Sequence, residues 1–265
     1  MIDARAGSSG PAPLPMLERG SGSPLVLVHG FAQNARCWAP LDERWAADRH
    51  VIAVDAPGHG GDGEHSQRAD DLWCTADRLA ITGGRAVYLG YSMGARMCLH
   101  LAIAHPESVA GLVLVSGTAG IDDDAERVAR RGRDGQLAER IVADGVDAFL
   151  ETWLNQPLLS TVPTPMRHLE ERRRNRAEGL ASSLRMAGTG TMDPPLWDRL
   201  GEITAPTLVV AGELDAKFVE LGRRIAEGIP DSTLSVVEGA GHTVHLERPE
   251  MFARLLAQWL VAKRL

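Results

Sequence analysis

The stretch YLGYSMGARMCLHLA, residues 88–102, decides how the rest of the chain is read. A β-rich run, Ala86 to Leu89, leads into Gly90-x-Ser92-x-Gly94, and a helical pattern, Arg96 to Ala104, follows directly. The five-letter pattern alone is weak, because glycine and serine are common. Strand before and helix after make it a nucleophile elbow: small residues permit a tight turn that leaves Ser92 exposed at the positive N-terminus of a helix.

The alternation extends outward from this point. Short apolar runs recur at Leu25–Val28, Val51–Val54, Leu112–Val115, Thr207–Val210 and Leu234–Val237, each followed by glycine or polar turn residues. Runs apolar at nearly every position suit strands covered on both faces. Further helical patterns lie at Ala216–Glu227, stopped by Gly228, and at Pro249–Lys263, stopped by the basic pair Lys263-Arg264. Strands alternating with helices predict an α/β fold, a mainly parallel sheet with helices on both faces. From about Thr118 to Leu200 the alternation stops. Asp122-Asp123-Asp124 opens an arginine-rich helical stretch broken at Pro157, Pro163 and Pro165, its carboxylates opposing the positive end of a helix dipole. The expected organisation is a core of residues 1–117 and 201–265 carrying a helical cap insertion at 118–200. Residues 6–24, rich in Gly, Ser and Pro, read as loosely ordered.

With 265 residues and 44% hydrophobic content, the chain is long enough to bury a sizeable core. A formal charge of −7 argues against general nucleic-acid binding, which needs a net basic face. The N-terminus lacks the apolar core of a signal peptide, and no apolar run approaches the roughly 18 residues of a membrane span. A cytoplasmic protein with no membrane partner is expected, as a monomer or small homo-oligomer. Cys37, Cys74 and Cys98 lack metal-type spacing and read as reduced structural thiols. With no metal cluster or phosphate loop visible, no cofactor is predicted.

An elbow serine needs a histidine to move its proton and a carboxylate to orient that histidine, in the chain order Ser, Asp or Glu, His. After Thr207–Val210 comes Ala211-Gly212-Glu213-Leu214-Asp215, and after Leu234–Val237 comes Glu238-Gly239-Ala240-Gly241-His242. Both loops follow the carboxyl ends of strands, where open α/β sheets bind ligands. Asp215 is favoured over Glu213 because it lies further out on its loop; His242 is favoured over His245 because it directly follows the glycine turn. Any one of these residues alone would read as a surface or capping group. The backbone amides of Phe31, after His29-Gly30, and of Met93 are the candidate oxyanion donors, with His29 expected to hydrogen-bond beneath its loop. Gly58-His59-Gly60-Gly61-Asp62-Gly63 fits G-x-G-x-x-G, but no helix opens after it, so it reads as a turn rather than a dinucleotide site.

Taken together, His29-Gly30-Phe31, Asp55-x-Pro57-Gly58-x-Gly60, Gly90-x-Ser92-x-Gly94, Asp215 and Gly241-His242 resemble the α/β-hydrolase superfamily over nearly the whole chain. Arg96 just after the elbow, Trp153-Leu154-Asn155-Gln156-Pro157, Gly212-Glu213-Leu214-Asp215-Ala216-Lys217-Phe218 and Gly241-His242-x-x-His245 are similar to its MenH family. These are the 2-succinyl-6-hydroxy-2,4-cyclohexadiene-1-carboxylate (SHCHC) synthases of menaquinone biosynthesis. The resemblance implies a carbon-oxygen lyase rather than a hydrolase, removing pyruvate from the tricarboxylate 2-succinyl-5-enolpyruvyl-6-hydroxy-3-cyclohexene-1-carboxylate (SEPHCHC). It implies Ser92, Asp215 and His242 as the catalytic triad, with serine acting as base, and Arg96, Arg130, Arg174, Trp153 and Tyr91 as substrate-binding residues. Ala95, where a second glycine is commoner, and Gly61-Asp62-Gly63, where a serine is frequent, depart from the family pattern without removing a catalytic group.

The arginines make independent physical sense of a polycarboxylate. The insertion of an acidic protein collects Arg127, Arg130, Arg131, Arg133, Arg172, Arg173, Arg174 and Arg176. Guanidinium forks bind carboxylates bidentately, although Glu126, Glu139, Glu170 and Glu171 can pair with most of them on a solvated face. Two other readings use the same residues: a serine esterase or carbon-carbon bond hydrolase, and a ligand-binding receptor of this fold.

Overall fold

In a computed structural model that describes residues 11–61 and 63–265, the apolar runs form a seven-stranded sheet in the order β1-β3-β2-β4-β5-β6-β7. The strands are β1 (Met16–Arg19), β2 (Ser23–Val28), β3 (Arg49–Val54), β4 (Ala86–Tyr91), β5 (Val109–Val115), β6 (Thr207–Gly212) and β7 (Ser232–Val237). All neighbours run parallel except β1, which pairs antiparallel with β3 at one edge. The helices are α1 (Leu41–Trp45), α2 (Leu72–Gly83), α3 (Met93–Ala104), α4 (Asp124–Trp153), α5 (Leu169–Arg172), α6 (Ala177–Ala187), α7 (Ala216–Gly228), α8 (Val244–Glu247) and α9 (Pro249–Lys263).

Side chains alternate across the sheet, so each strand feeds two cores. Val26, Val28, Ile52, Val54, Leu112 and Leu114 pack against α2 and α3 on one face. Leu25, Leu27, Val51, Ala53, Val113 and Val115 pack against α1 and α9 on the other. Full burial of such side chains contributes roughly 1.5–3 kcal/mol each. That two-sided demand explains why the strands read as continuous apolar runs.

Two elements escape the sequence reading. Residues 16–19, placed in a loosely ordered segment, form edge strand β1 instead, because its backbone completes hydrogen bonding along β3. Helix α2 starts where the Asp71 carboxylate accepts from the Cys74 amide at 2.8 Å, and it buries Leu72, Thr75, Ala76 and Leu79 at helical spacing. Residues 1–10, which bear on the signal-peptide reading, and Asp62 of the glycine-rich turn lie outside the described residues.

Between β5 and β6 the chain leaves the sheet. Asp123 caps α4 by accepting from the Glu126 amide at 2.7 Å, and the helix breaks at Gly145, whose φ of 83° and ψ of 169° are not helical. Ile141, Phe149, Leu150, Leu180 and Leu184 from α4 and α6 form a small core of their own, which Phe31 and Ala32 from the loop after β2 join. This contact roofs the carboxyl ends of the central strands. No described helix is long and apolar enough to cross a membrane.

Candidate active site

Ser92 sits at the bend between β4 and α3 with φ 52° and ψ −102°, a conformation that costs a non-glycine residue about 1–3 kcal/mol. The flanking glycines are steric necessities. A Cβ on Gly90 would run into the Gly94 carbonyl, and one on Gly94 into the Val28 carbonyl. The Ser92 amide donates to the Val115 carbonyl at 2.8 Å, tying the bend to β5.

Three strand ends converge here. His242 Nδ1 lies 2.7 Å from Asp215 Oδ2, and its Nε2 lies 3.1 Å from Ser92 Oγ. The carboxylate only accepts, so Nδ1 carries the proton and Nε2 accepts from the serine hydroxyl. The other Asp215 oxygen caps α7 by accepting from the Phe218 amide at 3.4 Å, and the Phe218 ring stands edge-on to His242 at 4.4 Å. The His242 loop is fixed from beneath: the Glu247 carboxylate accepts from the amides of Gly241 (2.7 Å) and Thr243 (2.9 Å), and the Ser116 hydroxyl donates to the His242 carbonyl (2.7 Å). Glu213 accepts from the Gly239 amide instead of reaching His242. His245 is buried against Tyr91 and Trp38, and burial pushes its imidazole down to about 3, so it stays neutral.

The loop after β2, which carries the candidate oxyanion donor Phe31, is held by two histidines in exchange. His29 Nε2 accepts from the Ala56 amide at 3.0 Å, and His59 Nε2 accepts from the Ala32 amide at 3.2 Å. Burial keeps both imidazoles below their usual range. The glycine-rich segment around His59 is thus a turn beside the site. Met93 is the first residue of α3, so its amide has no acceptor within the helix. Tyr91 packs its ring where a Gly30 side chain would stand, 2.5 Å from a Cβ, and its hydroxyl meets Thr243 Oγ1 at 3.0 Å.

Ser92, His242, Phe31, Met93, Tyr91 and Trp153 line a cavity of about 460 Å³. The cationic part of its wall is formed by Arg96, Arg130, Arg133, Arg140, Arg172 and Lys217. Arg96 is 9% exposed and Arg172 is 3% exposed. Among the described residues neither has a carboxylate at ion-pair distance. Arg96 donates from Nη2 to the Ala187 carbonyl at 2.8 Å while its Nε has no partner, and Arg172 donates to the carbonyls of Arg167 (2.7 Å) and Ala32 (3.1 Å). Burial pushes the Arg96 guanidinium down to about 10, helped by the charge of Arg130, and burial also lowers Arg172.

Arg174 does not belong to this wall. It is exposed, bridges to Glu171 at 2.8 Å and lines a separate polar cleft, because α5 turns Arg172 inward and leaves Arg174 on the outside. Nothing in the run Arg172-Arg173-Arg174 separates the three by pattern. The sequence reading named Arg172 among the insertion arginines but gave the binding role to Arg174, and it missed Asp134 and Arg140, both of which line the cavity. Among the described residues no group of three His, Cys, Asp or Glu side chains is placed to hold a metal ion.

The alpha/beta hydrolase family model matches residues 25–255. A putative SHCHC synthase of Bacillus subtilis is 36% identical over 251 residues, covering 90% of both chains. This chain belongs to the SHCHC synthase family. An SHCHC synthase of Salmonella paratyphi B is 30% identical over 89% of this chain and 93% of its own. The structure of MenH from S. aureus superposes with a TM-score of 0.86 at 31% identity, covering 96% of this chain and 99% of that one. A malate-bound thermophilic esterase from Thermogutta terrifontis reaches 0.78 at 26% identity over 95% of this chain and 94% of its own. The fold is therefore common to an SHCHC synthase and an esterase.

Proposed function

We propose that this protein eliminates pyruvate from SEPHCHC to give SHCHC, with Ser92 as the base. The observation that carries the reading is the pair of buried guanidinium groups, Arg96 and Arg172, which line the same cavity as Ser92 and have no carboxylate at ion-pair distance among the described residues. A buried charge without a counter-ion is costly. A substrate with three carboxylates supplies the missing partners; a neutral ester does not.

His242, oriented by Asp215, draws the proton from Ser92 Oγ, and the alkoxide takes the ring proton next to the succinyl carbonyl. That electron pair forms a new ring double bond, the existing double bond shifts by one position, and the carbon-oxygen bond to enolpyruvate breaks, the leaving group ending as pyruvate. The Phe31 and Met93 amides stabilise charge developing on the succinyl oxygen. Arg96, Arg130 and Arg172 hold the carboxylates, with Trp153 and Tyr91 as walls, so that reacting atoms meet without further search. No acyl-enzyme forms. The test generates SEPHCHC in situ and follows pyruvate release and diene absorbance above the spontaneous rate. Acceleration of both is expected; no acceleration by folded protein sinks the reading.

The similarity to the Thermogutta esterase favours a second reading, ester or carbon-carbon bond hydrolysis through the same triad. An acyl group trapped on Ser92 together with no SEPHCHC turnover would select it.

A further inference from the structure

Among the described residues Arg130 is the one cavity arginine with a carboxylate at ion-pair distance. Its Nε donates to both oxygens of Asp134, at 2.9 and 3.0 Å, one turn further along α4. Asp134 is 6% exposed, lines the same cavity, and has no other hydrogen-bond donor among the described residues. The space for it is made by Gly188, where a Cβ would come within 2.7 Å of Asp134 Oδ2. The residue before, Ala187, offers the carbonyl that holds Arg96. One short segment at the end of α6 thus places both guanidinium groups.

The choice of atoms matters. A carboxylate competing with substrate would take the two Nη groups, the fork that suits bidentate binding. Asp134 takes the Nε side and leaves both Nη groups of Arg130 outside that bridge. Its charge also opposes that of Arg130 at the Arg96 guanidinium, whose pKa Arg130 lowers and Asp134 raises.

We propose that Asp134 is a positioning residue that sets the specificity of this site for polycarboxylates, by holding Arg130 through Nε and leaving its Nη pair for the ligand. It acts through Arg130 and touches no reacting atom. The inference rests on the cationic wall serving as a carboxylate clamp, and it is tested without turnover.

The probe is tricarballylate, a simple tricarboxylate, titrated against wild-type protein by quenching of tryptophan fluorescence, since Trp153 lines the cavity. Asp134→Asn should weaken binding about tenfold in the wild-type background and less than twofold in an Arg130→Ala background. Acetate, carrying one carboxylate, should lose less than twofold in either. In the coupled assay the same substitution should raise KM and leave kcat within about twofold. Equal losses in both backgrounds, or no loss in either, would overturn the proposal, the first by showing a general packing role. If Asp134→Asn does not fold, Arg130→Lys asks the same question, because one ammonium cannot face Asp134 and the ligand together: a tenfold weakening supports the proposal and unchanged binding overturns it. A wild-type protein that binds tricarballylate but leaves SEPHCHC unturned would remove the synthase reading and leave this inference standing.

Discussion

On the Ser92 side of the cavity, the cost of the arrangement lies in the backbone. Ser92 is held at positive φ, Gly90 and Gly94 touch neighbouring carbonyls, and the polar groups that matter are joined in a chain from Asp215 through His242 to the serine. Around the arginines the backbone is ordinary helix and the cost lies in desolvated charge, with Arg96 and Arg172 lacking a carboxylate at ion-pair distance among the described residues. The first wall is complete in itself; the second is completed by a ligand. On the proposed reading the first supplies the reaction and the second selects the substrate, and substitutions should separate them.

Ser92→Ala removes the base and should lower kcat by about 10³–10⁴-fold while tricarballylate binding stays within twofold. A kcat near wild type would remove Ser92 from the mechanism. Gly94→Ala attacks the same wall through sterics: its Cβ meets the Val28 carbonyl, so a loss of about 3 kcal/mol in urea denaturation is expected, with activity lost alongside. Arg172→Ala breaks the other wall. Charge-assisted hydrogen bonds of this kind are worth about 1.5–3 kcal/mol, so kcat/KM should fall by roughly 10–100-fold, carried mainly by KM.

Acid should weaken the fold. Burial pushes His245 down to about 3 and His100 down to about 4, from 6.5 in the unfolded chain. Below pH 6.5 the unfolded chain takes up protons that the folded one refuses, so the stabilisation present at neutral pH is lost as pH falls toward 4. The slope is at most about 1.4 kcal/mol per pH unit for each site. Urea midpoints at pH 7.5 and 5.0 should show it, and His245→Phe should shrink the difference. The smallest effect belongs to Arg174→Ala, less than twofold on kcat/KM; a loss matching Arg172→Ala would return Arg174 to the clamp.

The Ser92 wall was legible because its constraints act on the backbone, and backbone constraints leave glycines at fixed offsets: Gly90 and Gly94 around the serine, Gly30 under Tyr91, Gly241 before the histidine. Strand ends supplied the rest, since Asp215 and His242 sit directly after apolar runs. The arginine wall obeys a different rule. Whether Arg172 or Arg174 faces inward depends on how the four-residue helix α5 docks, a tertiary outcome with no local pattern. Asp134 looks like any i,i+4 surface partner of Arg130 until its burial is seen. Strand β1 was hidden for a similar reason: four residues among glycine and proline become a strand only because β3 has an open edge to pair with.

The break in α4 separates two jobs. Before Gly145 the helix presents Arg130, Arg133 and Arg140 to the cavity; after it, Phe149 and Trp153 close on Phe31, with ring centres 6.0 and 5.3 Å away. In an unbroken helix, inserting or deleting one residue turns everything beyond it by about 100°. A glycine kink stops that rotation from passing along. The charged arm can thus be lengthened, shortened or rewritten over generations while the aromatic arm keeps its seat on the oxyanion loop, which gives one scaffold a cheap route from one acid substrate to another.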